Sequence, residues 1–318
     1  MKPLVFALIG PTGVGKSAAA IELAQAIDAE IVSMDSMQIY RGMDIGTAKP
    51  TEQELHTVRH HMIDVADPRE PFTVSAYRDM AFSCIDDILV RGKQVLLVGG
   101  TGLYLQAISY EMSLGENGAD SEIRTRLNEI AQTEGGEKVL HEMLQRVDPQ
   151  SAQKLHPNDI RRVVRALEIY ETSGKAKSEQ RGEEKTEGPY HVKVFGLSLP
   201  RPAMYARINA RVDEMMTSGL VDEVKTLLSA GVEPRKEGGA MQAIGYKEIV
   251  SALRGEMTMD AATDLIKQSS RRYAKRQWTW FRRTPGVTWF DWTEFPSREA
   301  LLEEIADRMC KEIQSHNL

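Results

Sequence analysis

The stretch GPTGVGKS at residues 10–17 constrains the fold of this chain more than any other feature of the sequence. It follows a short apolar run at residues 3–9 and precedes an alanine-rich stretch, residues 18–27, whose spacing predicts a helix. The pattern G-x-x-x-x-G-K-[ST] between a strand and a helix is typical of loops that bind phosphate groups. The sequence therefore predicts a strand, a phosphate-binding loop and a helix at the start of an α/β fold.

The residue types of this loop suit an anionic ligand. Its glycines let the backbone N–H groups approach an anion closely, and the N-terminus of the following helix favours negative charge. Lys16 adds a full positive charge, and we expect the hydroxyl of Ser17 to be placed to bind Mg²⁺. We therefore assign phosphate contacts to Gly10, Pro11, Thr12, Gly13, Val14, Gly15, Lys16 and Ser17, without deciding whether the bound compound is ATP.

The rest of the chain alternates between strand-like and helix-like patterns. Strands are predicted at residues 4–9, 30–33, 62–65, 95–98, 192–197 and 287–290. Helices are predicted at residues 18–27 and 74–90, and later at 202–218, 220–230, 247–253, 259–281 and 297–314. This alternation predicts the α/β class, with a P-loop NTPase-like parallel sheet that has helices on both faces.

One central region contains only helical patterns, at residues 121–131, 137–146 and 159–173. The segment that follows, residues 174–189, is polar and charged and predicts a mobile surface loop. We therefore predict an inserted all-helical domain at residues 115–189. The α/β core would then comprise residues 1–114 and a continuation with C-terminal helices at residues 190–318.

The composition excludes several classes of protein. The chain is 42% apolar, enough to bury a core, and contains no apolar run near the roughly 20 residues that span a bilayer. We therefore predict no membrane association, and a first strand so close to the N-terminus predicts no signal peptide. Cys84 and Cys310 lack metal-type spacing and fit a reducing cytoplasm. The adjacent pair His60 and His61 is better interpreted as packing at the start of a strand than as a site.

Two positively charged segments stand out although the net charge is −6. Residues 268–283, QSSRRYAKRQWTWFRR, carry six positive charges, no acid and four interleaved aromatic residues. Residues 158–170, NDIRRVVRALEIY, contain Arg161, Arg162 and Arg165. Basic side chains neutralise backbone phosphates, and aromatic planes can stack on unpaired bases. Each segment therefore indicates either an RNA contact or a solvated basic helix face, with Trp278 and Trp280 as candidates for stacking or for the core.

The residues after the predicted strands limit the chemistry. A P-loop ATPase usually has a carboxylate after a second strand, but the strand at residues 95–98 is followed by GGTG. The acid Asp35 instead follows the strand at residues 30–33. Because ligands bind beyond the carboxyl ends of strands in open α/β sheets, we expect Asp35, Thr101 and the loop to meet at one crevice. There Asp35 could be a general base, a Mg²⁺ ligand as in small-molecule kinases, or a loop cap.

Six segments taken together resemble those of the tRNA dimethylallyltransferases, also called tRNA isopentenyltransferases or IPP transferases. They are GPTGVGKS, DSMQIYRGMDIGTAKP, VGGTGLYL, NDIRRVVRALEIY, GGAMQAIGYKE and YAKRQWTWFRR, in this order. The resemblance implies transfer of a dimethylallyl group from dimethylallyl diphosphate to the exocyclic amine of the adenosine immediately 3′ of the anticodon in tRNA, with release of diphosphate. It also implies Mg²⁺ as a cofactor and an inserted domain that binds the anticodon stem-loop. The chain lacks the C-terminal zinc finger typical of eukaryotic members, so we expect a bacterial-type, cytoplasmic protein, and a monomer.

The resemblance also implies roles for individual residues. Catalytic roles are expected for Asp35 as general base, for Thr101 in positioning, and for Lys16 and Arg207 as diphosphate contacts. Ser17 is expected to be the metal ligand. Contacts to tRNA are expected from Asp35, Ser36, Met37, Gln38, Thr101, Arg124, Asp159, Ile160, Arg161, Arg162, Val163, Met241, Gln242, Ala243, Ile244 and Gly245. Arg126 is an alternative to Arg124.

Two other classes of protein compete with this interpretation. A P-loop kinase for a small metabolite would share the loop and Asp35, but it does not predict the basic aromatic segment at residues 268–283 or the GGTGLY turn. A non-catalytic RNA-binding protein would explain the basic segments, but it does not require Lys16 and Ser17 to face an acid across a crevice.

Overall fold

The computed structural model describes residues 1–111, 121–180, 186–234 and 239–316 of the chain. These residues form two compact units. Unit 1 combines Met1–Ser109 with Gly188–Leu318, and unit 2 is Tyr110–Glu187. The predicted domain boundary at residue 115, and residues 181–185 of the predicted surface loop, lie outside the described residues. None of the described helices combines the length and the apolar character that crossing a membrane requires.

A six-stranded parallel sheet forms the centre of unit 1. Its strands are β1 (Leu4–Ile9), β2 (Ala29–Ser33), β3 (His60–His61), β4 (Gln94–Gly99), β5 (His191–Ser198) and β6 (Val287–Asp291). They lie in the order β3-β2-β4-β1-β5-β6, and every neighbouring pair is parallel. The parallel sheet predicted from the alternating pattern is confirmed.

The helices follow the predicted pattern closely, with four short additions. They are α1 (Lys16–Ala26), α2 (Glu52–Thr57), α3 (Val74–Val90), α4 (Gly102–Ser109), α5 (Ser121–Gln132), α6 (Gly136–Val147), α7 (Pro149–Lys154), α8 (Ile160–Ser173), α9 (Lys177–Gln180), α10 (Arg201–Thr217), α11 (Leu220–Ser229), α12 (Tyr246–Leu253), α13 (Met259–Phe281) and α14 (Arg298–His316). The sequence pattern missed α2, α4, α7 and α9, the last of which lies in the predicted surface loop.

Helices cover both faces of the sheet because its strands are apolar on both sides. Alternate residues of a strand point to opposite faces. Phe6 and Leu8 of β1 therefore pack in one core cluster with α1 and α14, and Ala7 and Ile9 pack in a second cluster with α3 and α4. All six residues of β1 are buried, as expected for a central parallel strand covered twice.

One strand prediction was wrong in position. The sequence pattern predicts a strand at residues 62–65, but the strand β3 is His60–His61. Met62 and Asp64 have φ angles of 63° and 57°, in the left-handed region that an extended strand cannot adopt. The apolar residues after β3 therefore belong to a turn, and the two histidines form the strand itself.

The regular elements described in unit 2 are five helices, α5 to α9. Leu127, Leu144, Val163 and Leu167 lie in its apolar core and are almost fully buried. The buried carboxylate of Asp148 connects two of its helices: Oδ1 accepts a hydrogen bond of 2.9 Å from the Ser151 N–H and Oδ2 one of 3.0 Å from the Ser178 N–H. The Asp148 carboxylate thus caps the first turns of α7 and α9. A hydrophobic pattern does not reveal contacts of this kind.

Candidate active site

The glycine-rich loop, residues 10–17, connects β1 to α1 at the carboxyl end of the sheet. Gly15 caps α1 with a φ of 96°, a backbone conformation that favours glycine. A methyl group on Gly15 would lie 3.7 Å from Nη1 of Arg207, so the guanidinium group predicted to contact diphosphate lies beside the loop. The Lys16 ammonium group donates a hydrogen bond of 2.8 Å to the Pro11 carbonyl oxygen.

Burial lowers the pKa of Lys16 to about 7. The negative charge of Asp35 opposes this shift and the positive charge of Arg211 reinforces it. In the absence of an anion, Lys16 is therefore close to its midpoint of protonation at neutral pH. An anionic ligand would favour the charged amine and raise its pKa.

Backbone hydrogen bonds bring Asp35 and Thr101 together. The Thr101 N–H donates to the Met34 carbonyl oxygen (3.1 Å), and the Thr101 hydroxyl oxygen accepts a hydrogen bond of 3.1 Å from the Ser36 N–H. The Asp35 carboxylate accepts a hydrogen bond of 2.9 Å from the Met37 N–H, which is a loop-capping contact. Asp35 and Thr101 thus lie on two turns that are bonded to each other.

Two open cavities meet at Asp35. The first, of about 500 Å³, is lined by the glycine-rich loop and by cationic side chains. The second, of about 310 Å³, is lined by apolar side chains such as Ile208, Val212 and Ile266 and by the basic side chains of Arg211, Lys247 and Arg276. Residues that line both cavities are Thr12, Asp35, Thr47, Arg211 and Tyr273. Asp35 therefore lies at the junction of the cavity at the glycine-rich loop and a second cavity that has both apolar and basic side chains.

Three residues that line these cavities were not predicted from the sequence. Arg211 is half-buried and lies one helical turn beyond Arg207, a spacing of four that could have identified it. Tyr273 is half-buried, and burial, followed by the Asp35 charge, raises its pKa to about 12. Gln277 is buried at the first cavity. Tyr273 and Gln277 are also spaced by four on α13, but this spacing does not predict which residues their side chains contact.

Two distant side chains hold the glycine-rich loop in position. The Gln277 carboxamide oxygen accepts a hydrogen bond of 2.8 Å from the Thr12 N–H, and its nitrogen donates one of 3.0 Å to the Gly100 carbonyl oxygen. The Trp292 indole N–H donates a hydrogen bond of 2.7 Å to the Val14 carbonyl oxygen. The loop conformation therefore depends on α13 and on the segment after β6.

A third side chain holds the segment that follows Asp35. The Glu223 carboxylate accepts hydrogen bonds from the N–H groups of Asp44 (2.9 Å) and Ile45 (2.7 Å), and from the Tyr246 hydroxyl (2.6 Å). The Gln38 carboxamide nitrogen donates to the Ala48 carbonyl oxygen at 3.1 Å. The side chain of Gln38 is thus engaged with this loop, in addition to lining the first cavity.

The segments predicted to contact tRNA in unit 1 differ in exposure. Ser36, Met37, Gln242, Ala243 and Ile244 line the second cavity. Met241 is 1% exposed and packs in a third core cluster with α11 and α12, and Gly245 begins α12. Gln242 and Ile244, rather than Met241, therefore present their side chains at this cavity.

Unit 2 contains the remaining predicted tRNA contacts. Arg161 and Arg162 are exposed at the start of α8, where Arg162 forms an ion pair of 3.1 Å with Asp159. Ile160 and Val163 pack in the apolar core of this unit. The two alternative arginines of α5 both pair with carboxylates of α8: Arg124 with Glu168 (3.5 Å) and Arg126 with Glu171.

The oxygen atoms that line the first cavity suit a Mg²⁺ ion that is also bound by the phosphate groups of a substrate. Among the described residues, no group of three or more histidine, cysteine or acidic side chains could hold a metal ion. Ser17, Asp35 and Glu214 line this cavity and supply oxygen donors. Mg²⁺ commonly takes one or two protein oxygens and completes its shell with substrate phosphates and water, so these residues suit it.

The fold and site define an α/β protein that presents a glycine-rich, cationic loop to a carboxylate across an open cavity. The IPP transferase family model matches residues 38–284. Proteins named tRNA dimethylallyltransferase are similar over nearly the whole chain. That of Halalkalibacterium halodurans is 45% identical over 304 residues, 95% of this chain and 96% of its own. That of Bacillus subtilis is 45% identical over 313 residues, 98% of each chain.

Solved structures agree with this result. The full-length tRNA isopentenylpyrophosphate transferase of Bacillus halodurans matches with a TM-score of 0.73 and 42% identity, over 99% of this chain and 98% of its own. A eukaryotic dimethylallyltransferase acting on tRNA matches with a TM-score of 0.77 and 31% identity, over 91% of this chain and 74% of its own. The chain belongs to the IPP transferase family, as the six sequence segments indicated, and the kinase alternative is not favoured.

Proposed function

We propose that this chain transfers a dimethylallyl group from dimethylallyl diphosphate to the exocyclic amine of the adenosine immediately 3′ of the anticodon in tRNA. The products are prenylated tRNA and diphosphate. Membership of the IPP transferase family supports the reaction class. The observation that carries the proposal for the site is the position of Asp35, which lines both the first, cationic cavity and the second cavity.

The cationic cavity suits the diphosphate of the donor. Backbone N–H groups of the glycine-rich loop would bind its oxygens, and Lys16, Arg207 and Arg211 would stabilise the negative charge that grows as the carbon–oxygen bond breaks. Because diphosphate departs intact, the reaction needs no carboxylate to order a water molecule. This explains how a loop typical of kinases can serve a transfer in which no phosphoryl group moves.

The second cavity suits the adenine and the prenyl chain. Apolar side chains such as Val212 and Ile266 line it beside Asp35. The exocyclic nitrogen forms a bond to the allylic carbon, the carbon–oxygen bond to diphosphate breaks, and the proton of the nitrogen passes to the Asp35 carboxylate. A general base typically contributes about 10²–10⁴-fold to a rate. Thr101, whose hydroxyl lies on the neighbouring turn, would orient the reacting groups.

A metal ion would act at the cationic cavity. We infer that the Ser17 hydroxyl is the protein ligand of Mg²⁺, with diphosphate oxygens supplying further donors. When bound, Mg²⁺ would neutralise negative charge on the leaving diphosphate. Ser17 would then orient the donor, whereas Asp35 would remain free to accept the proton.

Extrusion of the target adenosine from the anticodon loop must accompany the reaction. Removing a base from its stack costs a few kcal/mol, which contacts elsewhere on the tRNA must offset. Exposed cations in both units could supply such contacts. They include Arg161 and Arg162 of α8, Arg124 of α5, and the basic residues near the end of α13.

A transfer assay tests the proposal directly. The protein is incubated with Mg²⁺, labelled dimethylallyl diphosphate and an unmodified tRNA that has adenosine 3′ of its anticodon. We expect label in the tRNA and one diphosphate released per label. A matched tRNA with guanosine at that position should remain unlabelled. Release of diphosphate without labelled tRNA, or equal labelling of both tRNAs, would contradict the proposed acceptor.

A further inference from the structure

Trp280 is an exposed aromatic residue beside the turn that carries Thr101. Its side chain is 40% exposed although the indole packs against Gly102. A methyl group on Gly102 would overlap the indole nitrogen Nε1, so glycine is required for this contact. Since Gly102 follows Thr101 directly, the indole lies within one residue of the turn at which the adenosine would react.

The neighbouring Trp278 has a different environment. It is half-buried and packs edge-on against Trp289, with ring centroids 4.9 Å apart. Trp278 therefore belongs to the packed interior, which was one of the two interpretations of this segment. Trp280 fits the other interpretation, because a large exposed indole adds little to the core.

The surface around Trp280 is strongly positive. Arg276 lies one turn before it on α13, with its guanidinium 5.6 Å from the centroid of the Tyr273 ring, and Arg283 follows just beyond the end of the helix; both are exposed. Arg272, Lys275 and Arg282 are exposed as well. Among the described residues, helix α13 forms a single ion pair, between Lys267 and Asp213 (2.5 Å), so the cations near Trp280 have no carboxylate partner there. This charge is complementary to a phosphate backbone.

We propose that Trp280, seated on Gly102, is a stacking platform for the unpaired nucleotide next to the extruded adenosine. The inference rests on the proposed function. Extrusion of a base removes one stacking partner from each neighbouring nucleotide. An exposed indole beside the entry point replaces that partner, and Arg276 and Arg283 neutralise the adjoining phosphates. The platform would accept any base, because every base has a π-face.

Binding of an unmodified anticodon stem-loop to three variants tests the platform. Trp280→Ala should weaken binding by about 5- to 140-fold, the usual effect of losing one aromatic–base stack. Trp280→Phe should retain most of the affinity. The control Met80→Ala removes a similarly exposed apolar side chain, 37% exposed on α3, and should bind normally. Binding of inorganic diphosphate should be unchanged in all three variants, which shows that the first cavity is intact.

A fluorescent base identifies the stacked nucleotide. The stem-loop carries 2-aminopurine directly 5′ or directly 3′ of the target adenosine, and stacking quenches its emission. One of the two positions should be quenched by the wild type and by Trp280→Phe, but not by Trp280→Ala.

The outcomes separate the platform from the proposed function. Wild-type affinity in Trp280→Ala, or no quenching at either position, overturns the platform even if prenyl transfer proceeds. A wild-type protein that neither binds nor prenylates the stem-loop overturns the proposed function and the platform with it. Self-association of the wild type that is lost in Trp280→Ala, with unchanged RNA binding, would show that Trp280 is a protein contact instead.

Discussion

The Gln277 carboxamide bridges two turns that are remote in the sequence: its oxygen accepts a hydrogen bond of 2.8 Å from the Thr12 N–H, 265 residues away. Its nitrogen donates a hydrogen bond of 3.0 Å to the Gly100 carbonyl oxygen. Gln277 is 6% exposed, so both hydrogen bonds are made by a buried side chain. One buried amide thus holds the glycine-rich loop and the GGTG turn at a fixed separation.

Replacing this amide should disturb the loop. Gln277→Met keeps the length of the side chain but leaves a buried N–H and a buried carbonyl unpaired, at a cost of about 1–3 kcal/mol each. We expect a lower melting temperature and about tenfold weaker binding of inorganic diphosphate, measured by calorimetry. Gln268→Met makes the same change at an exposed position of α13 and should leave both unchanged. Diphosphate binding within twofold of the wild type in Gln277→Met would show that Gln277 does not position the loop.

The lowered pKa of Lys16, about 7, predicts how diphosphate binding depends on pH. Diphosphate favours the protonated amine, so the pKa of Lys16 is higher in the complex than in the free protein. Below pH 7 the amine is already charged. Above pH 7 it must take up a proton on binding, so the affinity should fall by up to tenfold per pH unit until the higher pKa of the complex is reached.

Two variants isolate the contribution of Lys16. Lys16→Arg stays charged throughout and should show only the pH dependence of diphosphate itself. Lys16→Ala should bind diphosphate weakly at every pH and transfer the prenyl group poorly, with tRNA affinity nearly unchanged. The measurement is the Kd of inorganic diphosphate from pH 6 to pH 9 by calorimetry. Identical pH profiles for the wild type and Lys16→Arg, or loss of tRNA rather than diphosphate binding in Lys16→Ala, would contradict the prediction.

The variant Asp35→Asn distinguishes three possible roles of Asp35: a general base, a metal ligand and a loop cap. Asparagine can accept the hydrogen bond from the Met37 N–H, but it cannot take the proton of the adenine amine. If Asp35 is the base, binding of tRNA and donor stays nearly normal while the single-turnover rate falls by about two to four powers of ten. Rates are measured at saturating substrates across a Mg²⁺ series, with a melting curve alongside.

Each alternative role of Asp35 has its own result in that experiment. Recovery of much of the rate at high Mg²⁺ would identify a metal ligand, and a lowered melting temperature with near-normal chemistry would identify a cap. A single-turnover rate within about threefold of the wild type would exclude the general-base assignment, because a base contributes far more than that.

Arg161 and Arg162 should make RNA binding depend on salt. Each phosphate that a protein cation neutralises releases counterions, so log affinity falls linearly with log salt. Reversal of both charges, Arg161→Glu and Arg162→Glu, should weaken tRNA binding and reduce the slope by about one or two units. Arg146→Glu, a charge reversal in the last turn of α6, is the control. An unchanged slope in the double variant would show that this cluster is a solvated helix face.

The buried carboxylate of Glu30 should stabilise the fold over a defined pH range. It accepts hydrogen bonds from Arg91 and pairs with His61 at 2.7 Å, and the Arg91 hydrogen bonds are the main cause that lowers its pKa from 4.5 to about 2. Because the unfolded chain binds this proton more readily, the stabilisation is fully present well above pH 4.5 and is lost as the pH falls toward 2.

Glu30→Gln tests this ion pair by urea unfolding at several pH values. The variant should lose about 3 kcal/mol at pH 7, and the difference from the wild type should shrink as the pH falls below 4.5. Glu304→Gln removes an exposed carboxylate that pairs with Arg308 at 2.6 Å, and it should cost less than about 1 kcal/mol. If the difference in unfolding free energy between Glu30→Gln and the wild type did not change with pH, the packing of Glu30 rather than its charge would account for the stabilisation.

Local patterns in the sequence were sufficient to predict most of the fold. The bounds of β1, α3 and α13 match the predictions from apolar periodicity, because burial on one or two faces imposes a regular spacing. The prediction failed at residues 62–65, where positive φ angles turn an apolar run away from the sheet. Short helices such as α4 and α7 were missed because caps and turns begin them.

The sequence by itself determined the family, the phosphate-binding loop and the candidacy of Asp35, since these depend on residue types at short spacing. Only the tertiary structure decided which distant side chains complete the site. Gln277 and Trp292 reach the glycine-rich loop, and Arg211 lines the same two cavities as Asp35, because the parallel sheet gathers the carboxyl ends of its strands beneath helices from the other end of the chain. Contacts of that range depend on how helices pack, and no local spacing encodes them.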